Sequence, residues 1–266
     1  MKDYILSGNI PIYYKKNDFK SNRKTLVFIH GLSGSSGAWI PYEKKFEKNY
    51  NILSFDLRGH GKSFKPKKYE DYSISLFVYD FYRLLRHLKI KKFVMISHSF
   101  AAMIAMEFLK KHQNMVEKAV FLSPLYTSPT GKFPSFVKSL LKITKPLWPK
   151  IPNRIGWHVD YRNYPNTGDW NIPRMIQDVG STSLAVYLTC SLQSYNFNAK
   201  NFLEKIKIPV LLVHGKKDTI FPHENAIYMN KKIKNSKLIL LENTDHIIVL
   251  NNVREVCELM EKFLKN

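Results

Sequence analysis

Short apolar segments alternate with segments of helical periodicity along most of the chain, and this alternation is the strongest constraint on its fold. Six of the apolar segments are rich in β-branched and aromatic residues and nearly free of charge, as strands buried on both faces of a parallel sheet are. They are 25–29, 52–55, 93–96, 119–122, 210–213 and 238–241. Helical spacing of apolar residues recurs over 76–88, 101–109 and 253–264. Strand, helix and strand in succession predict a doubly wound, mostly parallel α/β sheet.

Two features extend this pattern. Residues 4–6 and 10–14, separated by Ser7-Gly8-Asn9, predict an opening hairpin that makes 119–122 the sixth strand. Residues 124–194 then break the alternation with many prolines and amphipathic pieces at 136–143 and 175–192. An insertion that follows the carboxyl end of a strand would cover the ligand crevice of such a sheet. We therefore expect a core of residues 1–123 and 195–266 with a helical lid of residues 124–194.

Length and composition narrow the class of protein. A chain of 266 residues with 44% hydrophobic residues can form one large globular core. Cys190 and Cys257 are neither closely spaced nor near a histidine cluster, so no zinc or redox motif is indicated. The N-terminal sequence has no apolar segment typical of a secretory signal, and no stretch approaches the ~20 apolar residues of a membrane span. The expectation is a cytoplasmic protein without a transmembrane segment.

The net charge of +21 favours acidic partners in general. The lysines are spread along the whole chain without a nucleic-acid-binding motif, so a solvated basic surface is favoured over nucleic-acid binding. The predicted lid contains several basic residues, which leave open the docking of an acidic carrier protein or an anionic lipid; a solvated helix face is the alternative. They include Lys132, Lys138, Lys142, Lys145, Lys150, Arg154 and Arg162.

Two strand ends carry a glycine-rich turn and a serine. The turn after residues 25–29 has glycines at positions 31, 34 and 37, but it lacks the G-x-G-x-x-G order and the P-loop lysine, so dinucleotide or phosphate binding is not favoured. At 94–102 a strand leads directly into a helix with Ser99 at the turn. Ser99 would be exposed above the sheet, with the N–H of Phe100 pointing at developing negative charge. A serine that caps the helix is the alternative.

Two further strand ends carry a carboxylate and an imidazole. Asp218 follows the strand at 210–213, and His246 follows the strand at 238–241. Taken singly, Asp218 is also typical of a turn or a helix cap, and His246 of an ordinary loop. Together with Ser99 they occur in the order Ser, Asp, His, each at the carboxyl end of a strand, which is the order of the catalytic triad in α/β-hydrolases.

The chain resembles the lid-bearing α/β-hydrolases that include carboxylesterases, enol-lactonases and pimeloyl-carrier-protein methyl esterases. The motifs that carry the resemblance cover nearly the whole sequence. They are His30-Gly31 with Trp39 downstream, the FDLRGHGKS segment at 55–63, the turn around Ser99, the HGKKD segment at 214–218 with Pro222, and Asp245-His246. One motif departs from the family, because the usual G-x-S-x-G reads Ser97-His98-Ser99-Phe100-Ala101 here.

This resemblance implies a set of roles and no metal or organic cofactor. Ser99 would be the nucleophile, His246 the general base and Asp218 the acid that orients the base. The backbone N–H groups of Leu32 and Phe100 would form the oxyanion hole. The candidate substrate-binding residues are Trp39, His98, Trp148 and Tyr187.

The expected reaction is hydrolysis of a carboxylic ester or thioester with an apolar acyl group, through an acyl-enzyme on Ser99. Lactone or C–C bond hydrolysis on the same triad stays open, as does a non-catalytic receptor of the same fold. His60 and Asp245 are weaker candidates for the base and the acid. His60 belongs to a loop that the family carries after the strand at 52–55. Asp245 is the immediate neighbour of His246, and neighbouring residues point apart.

Overall fold

The computed structural model describes residues 1–128 and 132–265. Its strands form one sheet in the order β1-β2-β4-β3-β5-β6-β7-β8. β1 pairs with β2 and β2 with β4 in antiparallel fashion, and all other neighbours are parallel. The strands are β1 (Lys2–Leu6), β2 (Ile12–Lys16), β3 (Thr25–Ile29), β4 (Asn51–Phe55), β5 (Phe93–His98), β6 (Val116–Leu122), β7 (Val210–Gly215) and β8 (Ser236–Leu241). The predicted α/β architecture is confirmed.

Helices connect the parallel strands and close the chain. They are α1 (Ile40–Phe46), α2 (Ile74–His87), α3 (Ala101–His112), α4 (Lys132–Thr144), α5 (Ile172–Thr182), α6 (Leu184–Asn196), α7 (Glu224–Lys232), α8 (Ile248–Asn251) and α9 (Val253–Lys265). The amphipathic stretch at 175–192 forms two helices rather than one. Ser183 separates them with a φ of 84°, outside the helical region, and its side chain accepts a hydrogen bond from the Val186 N–H at the start of α6.

Both faces of the sheet are buried, as the uncharged strands predict. In β3, Val27 and Ile29 pack in the layer that contains α2 and α3, whereas Leu26 and Phe28 pack in the layer that contains α1 and α9. The alternation follows from the two-residue period of a strand. It fixes the register of the central strands and therefore the height at which each strand ends.

One charged residue interrupts the apolar face of α2, and the structure shows its partner. The carboxylate of Asp80 is buried and accepts a hydrogen bond from Arg58 Nε at 2.7 Å. Arg58 lies in the loop after β4, so the pair ties that loop to α2. Removing one member of such a buried pair leaves the other charge without compensation, which costs about 3–5 kcal/mol.

The segment between β6 and β7 contains α4, α5 and α6, so a helical insertion follows the sixth strand. Its two ends run side by side, since Ser128 N–H donates to Phe197 O and Ala199 N–H donates to Tyr126 O, both at 2.8 Å. This pairing closes the insertion at its base, above the carboxyl end of β6. In the described part of the chain, no helix is both long enough and apolar enough to traverse a bilayer.

Candidate active site

Ser99 occupies the sharp turn between β5 and α3. Its φ is +55°, a left-handed conformation that is uncommon for a residue with a side chain and is typical of functional turns. Two backbone hydrogen bonds hold it: Ser99 N–H donates to Leu122 O at 2.9 Å, and Ser99 O accepts from Ala102 N–H at 2.8 Å. The turn therefore presents the Ser99 hydroxyl at the carboxyl edge of the sheet.

The residues that flank this turn are small because the space around them is filled. Ser97 and Ala101, which replace the two family glycines, are both fully buried. Ser97 lies between Ile29 and Phe121 in the registers of the neighbouring strands. Its Oγ has no hydrogen-bond partner among the described residues. Ser97 is thus small enough for this filled position, and within the described part of the chain its hydroxyl makes no hydrogen bond that would stabilise the turn.

The three predicted side chains meet at this edge. His246 Nε2 lies 2.7 Å from Ser99 Oγ, and His246 Nδ1 lies 2.7 Å from Asp218 Oδ2. All three side chains are buried. With Nδ1–H donating to Asp218, Nε2 carries the lone pair that accepts the Ser99 hydroxyl proton. The geometry is that of a nucleophile, a base and an orienting carboxylate in line.

Asp218 is held as a charged acceptor. Its Oδ1 accepts hydrogen bonds from the backbone N–H groups of Ile220 at 2.9 Å and Phe221 at 2.7 Å. Its Oδ2 also lies 2.9 Å from His214 Nε2. Burial opposes ionisation, but the hydrogen bonds from His214 and His246 outweigh it and lower the pKa of Asp218 below its usual value. A carboxylate that stays ionised can stabilise a positive imidazolium.

Two glycines allow the loops of the site to approach one another. A Cβ on Gly31 would lie 2.9 Å from His98 Nδ1 and 3.2 Å from Ser99 Cβ. A Cβ on Gly215 would lie 2.1 Å from Thr244 O, in the loop that carries His246. Only a residue without a side chain fits at such distances. The glycines therefore bring the turn after β3 against Ser99 and the loop after β7 against that after β8.

The predicted oxyanion donors are available. Leu32 follows Gly31 directly, and Phe100 follows Ser99 at the start of α3. Among the described residues, neither backbone N–H donates a hydrogen bond. Two such N–H groups beside Ser99 can receive a negatively charged oxygen.

A small pocket of about 50 Å³ borders the site. Leu32, Trp39 and His98 contribute to its walls, as do residues of the insertion. Trp39 is otherwise a core residue, fully buried against Phe28 and Tyr42. Its predicted contact with substrate is therefore limited to the edge that reaches the pocket.

His98 has a further partner. Its Nε2–H donates to the backbone oxygen of His246 at 2.9 Å, which ties the end of β5 to the loop that contains His246. Burial, reinforced by the neighbouring His246, lowers the pKa of His98 to about 3, so its imidazole is neutral near pH 7. A neutral, hydrogen-bonded ring lines the pocket without carrying a proton in the reaction.

The other two predicted substrate contacts are not brought to the triad. Trp148 packs against Tyr69, and its Nε1 donates to Thr144 Oγ1 at 3.1 Å. Tyr187 is half-buried on α6, and neither residue lines the pocket beside Ser99. Their role in binding substrate stays a prediction.

The weaker candidates for base and acid lie apart from Ser99. His60 Nδ1–H donates to Arg58 O at 3.0 Å, and burial lowers the pKa of His60 to about 3. Asp245 Oδ1 accepts from the Ile247 N–H at 2.9 Å, within its own loop. Both residues therefore serve local structure.

One residue at the site has no signal in the sequence. Asp169 comes from the insertion, is buried, and accepts the backbone N–H of His246 through Oδ1 at 2.8 Å. Its Oδ2 accepts from the N–H and the hydroxyl of Thr219, the residue after Asp218, at 2.9 and 2.7 Å. The contact spans 77 residues to His246. Only the packing of the insertion on the sheet reveals it.

A buried polar cluster of the insertion lies next to Asp169. Arg174 Nη1 donates to Asp178 Oδ2 at 2.6 Å, and Tyr161 Oη donates to Asp178 Oδ1 at 3.0 Å. Arg174 Nη2 also donates to the backbone oxygen of Asp169 at 3.2 Å. Burial raises the pKa of Asp178 to about 6 although Arg174 opposes the shift. These three side chains form the insertion's wall of the pocket.

Comparison with known proteins agrees with this geometry. Residues 24–253 match the family model described as the alpha/beta hydrolase fold. The chain belongs to the α/β-hydrolase family. The match includes the β3 turn, Ser99, the whole insertion, Asp218 and His246.

Individual relatives of this α/β-hydrolase are distant. It is 22% identical to the monoacylglycerol lipase ABHD6 of Bos taurus, over 98% of this chain and 81% of that protein. Among solved structures it resembles MGS-M2, an α/β-hydrolase from a deep-sea metagenome library, with a TM-score of 0.78, 20% identity and coverage of 99% and 98%. It also resembles the enol-lactonase of Burkholderia xenovorans LB400, with a TM-score of 0.76, 20% identity and coverage of 99% and 100%. These likenesses show the fold and leave the substrate open.

Proposed function

We propose that this α/β-hydrolase is a serine esterase that cleaves a carboxylic ester or thioester through an acyl-enzyme on Ser99. The observation that carries the proposal is the continuous line of hydrogen-bond distances from Ser99 through His246 to Asp218, each 2.7 Å. Nucleophile and base within such reach, with the base oriented by a third group, are the requirement for covalent acyl transfer.

The first half of the reaction forms the acyl-enzyme. His246 Nε2 takes the proton from Ser99 Oγ as the oxygen attacks the acyl carbon of the substrate, and Asp218 stabilises the imidazolium. The carbonyl oxygen becomes an oxyanion, which the N–H groups of Leu32 and Phe100 receive; each such donor is worth about 3–4 kcal/mol in comparable enzymes. When the tetrahedral intermediate collapses, His246 returns the proton to the departing alkoxide or thiolate.

The second half releases the acid. Water enters, His246 removes its proton, and the resulting hydroxide attacks the acyl carbon bound to Ser99 Oγ. Collapse of the second tetrahedral intermediate returns the proton to Ser99. Carboxylic acid and free enzyme result, so the cycle balances with water as the only co-reactant.

The walls of the pocket suggest the class of substrate. Apolar side chains of Leu32, Ala38 and Val249 form one part of it, which favours an apolar acyl group. Residues 124–194 would act as a lid, because Tyr161 and Arg174 close the pocket from the insertion's side. We therefore propose a preference for apolar acyl chains.

Hydrolysis of p-nitrophenyl acetate, butyrate and octanoate tests the proposal. We expect turnover of at least one of these esters, and its loss in Ser99→Ala. Ser97→Ala is the matched control, since Ser97 is a buried serine of the same turn whose hydroxyl has no partner among the described residues. A wild-type protein that neither turns over an ester nor reacts with a fluorophosphonate would instead be a binding receptor of this fold.

A lactone is the second candidate substrate. The structural likeness to an enol-lactonase over the whole chain favours it, because a lactone is an ester closed into a ring and uses the same steps. Faster turnover of a lactone than of any open-chain ester, measured on the same enzyme preparation, would identify this alternative.

A further inference from the structure

Helix α4 and the turn after it expose a continuous apolar stripe, which consists of Phe136, Leu140, Ile143 and Leu147. The exposed fractions of these side chains are 62%, 47%, 76% and 83%. Their spacing of four, three and four residues places them on one side of the helix. Side chains of this size are normally buried, so the stripe is a candidate interaction surface.

In the described part of the chain, the packing of α4 uses mainly side chains outside this stripe. Helix α4 contacts α6, and the side chains that are withdrawn from solvent are a separate set. Val137, Leu141 and Thr144 are half-buried and Trp148 is buried. They follow the stripe by one residue at each turn and so define a second face. The helix therefore has an inner apolar face for the fold and an outer one that the fold leaves free.

Exposed apolar side chains are concentrated in the insertion as a whole. Among the described residues, ten of the fifteen large exposed hydrophobic side chains lie between positions 136 and 184. The remaining five are scattered over the much longer core. Scattered exposure is ordinary, whereas a concentration on one part of a protein marks a contact surface.

The segment that carries the stripe has charges of one sign only. No aspartate or glutamate occurs between Glu117 and Asp160, while lysines are interspersed with the stripe. Lys142 and Lys150 are exposed, and Lys145 pairs with Glu70 of the core at 3.4 Å. An apolar stripe with lysines and without acidic residues is the composition of a helix that lies in the interface of an anionic membrane.

We propose that the stripe of Phe136, Leu140, Ile143 and Leu147 docks this protein on an anionic lipid surface. The four side chains would enter the boundary between headgroups and acyl chains, and the lysines of the segment would contact lipid phosphates. A second copy of the chain fits less well, because two such surfaces repel each other in a protein of net charge +21. An acidic protein would pair with the lysines, but its acidic groups would not bury the apolar side chains of the stripe.

Vesicle sedimentation tests this docking and does not depend on the reaction that the protein catalyses. Vesicles of phosphatidylcholine alone are compared with vesicles that also contain phosphatidylglycerol. We expect binding to the anionic vesicles only, weakened by salt, and a loss of at least about tenfold in the F136S/L140S/I143S/L147S variant. The matched control is I5S/Y79S/I227S, whose side chains are 63%, 58% and 45% exposed on the core.

The outcomes separate the possible occupants. Retained binding in the control with loss in the stripe variant, both folded by circular dichroism, supports the proposal. Equal binding of the stripe variant and the wild type to anionic vesicles overturns it, because charge alone would then suffice. It is also overturned if the wild type binds polyglutamate but no vesicle, or if light scattering shows a dimer that the stripe variant dissociates.

A second inference rests on a different observation, the buried carboxylate of Asp169. Its two oxygens accept hydrogen bonds from both loops that carry the acid and the base, at His246 and at Thr219. The backbone of Asp169 is stabilised in turn, because Arg174 donates a hydrogen bond to its carbonyl oxygen. The insertion thereby fixes the distance between two loops of the core.

We infer that Asp169 is a positioning residue for the triad, an inference that rests on the proposed function. Both N–H donors belong to backbone next to a reacting or orienting side chain, so movement of either loop changes the line from Asp218 to Ser99. Misplacement of catalytic groups by about 1 Å is known to cost about a hundredfold in rate. Asparagine keeps one acceptor oxygen of the carboxylate and loses the other, whereas alanine loses both.

The test is a graded series on p-nitrophenyl butyrate. We expect kcat to fall about tenfold in Asp169→Asn and about a hundredfold in Asp169→Ala, with KM nearly unchanged. Thr219→Val removes the hydroxyl contact with Asp169 and the acceptor of Trp170 Nε1, keeps the Thr219 N–H contact with Asp169, and should stay close to the wild type. The control is Asp160→Asn, which changes an exposed aspartate of the insertion bound to Arg162 of its own turn.

Melting temperatures and kinetics together decide this second inference. A graded loss in kcat measured well below each melting transition supports positioning. Unchanged kcat in the folded Asp169→Ala protein overturns the positioning role alone, while an active wild type leaves the proposed function intact. A wild type that does not turn over at all overturns the proposed function and this role with it.

Discussion

The edge of the sheet and the insertion above it are built in different ways. At the edge, Ser99, Asp218 and His246 each follow a buried strand, and all three are themselves buried and hydrogen-bonded. In the insertion, polar contacts to buried groups of the core come from the part that contains His158 and Asp169, whereas α4 exposes large apolar side chains. The sheet thus positions Ser99, Asp218 and His246. One part of the insertion contacts the loops of this site, and another part, α4, exposes apolar side chains to solvent.

This difference predicts that substitutions of the triad change the rate, while loss of the contact between Asp56 and His158, which joins insertion and core, changes stability. Asp169 also joins the two regions, but its contacts go to the loops that carry the triad, so its substitution should change the rate. The elements at the edge are held by strands whose packing does not depend on the catalytic side chains. The contact between Asp56 and His158, by contrast, involves a buried charge, and its loss lowers the free energy of unfolding.

The largest effect should come from Ser99→Ala. We expect kcat on p-nitrophenyl butyrate to fall by about 10⁴ to 10⁶-fold, because the covalent route is lost while the oxyanion donors remain. The free energy of unfolding, measured by denaturant titration, should change by less than about 1 kcal/mol. Comparable activity in this variant would reject Ser99 as nucleophile.

A somewhat smaller loss is expected for Asp218→Asn. The asparagine keeps the shape of the side chain but favours the wrong imidazole tautomer, which costs about 10⁴-fold in comparable triads. The measurement is kcat at neutral pH with the same ester. A loss of less than about tenfold would show that Asp218 does not orient the base.

The joint between core and insertion should be visible in the pH dependence of stability. Asp56 is buried and accepts from His158 Nε2 of the insertion at 2.7 Å. Burial opposes ionisation, but the hydrogen bond and charge of His158 outweigh it and lower the pKa of Asp56 to about 2 from 3.8. The carboxylate therefore adds stability above pH 4 that is lost as the pH falls towards 2.

Denaturant titrations of the wild type and Asp56→Asn at several pH values measure this contribution. A shift of nearly two pKa units corresponds to about 2 kcal/mol, so the wild type should lose about 2 kcal/mol more than the variant between pH 4 and pH 2. Parallel curves for the two proteins would mean that Asp56 gains nothing from its contact with the insertion.

The smallest effect is expected for Ser97→Ala at the edge itself. The hydroxyl of Ser97 is buried without a partner among the described residues, so its removal leaves no group unpaired. We expect the unfolding free energy to stay within about 1 kcal/mol of the wild type, and kcat to be retained. A marked loss of activity would show that this hydroxyl takes part in the turn after all.

The sequence was sufficient for the parts of the site that local signals define. Buried strands can be predicted from their apolar composition. The residues after parallel strands lie at the same edge of the sheet, and this rule predicted that Ser99, Asp218 and His246 lie close together. The helix break at Ser183 was missed although Gly180-Ser181-Thr182-Ser183 is a polar segment and serine is a common helix N-cap, because the apolar spacing on both sides of it also fits one amphipathic helix.

Asp169 could not be found from the sequence for a different reason. Its partners lie 50 and 77 residues away, and an aspartate in a polar loop is unremarkable until the loop is packed against the sheet. Likewise, apolar residues at helical spacing in 136–147 are compatible with a buried or an exposed face. Only the contact with α6 shows which of the two faces of α4 is turned inward.

Covalent labelling tests the central claim most directly. The protein is treated with a fluorophosphonate, digested and mapped by mass spectrometry, with Asp218→Asn treated in parallel. The account predicts one adduct, on the peptide that contains Ser99, formed more slowly in Asp218→Asn. An adduct on another serine, or an unlabelled Ser99 in a protein that hydrolyses esters, would contradict it.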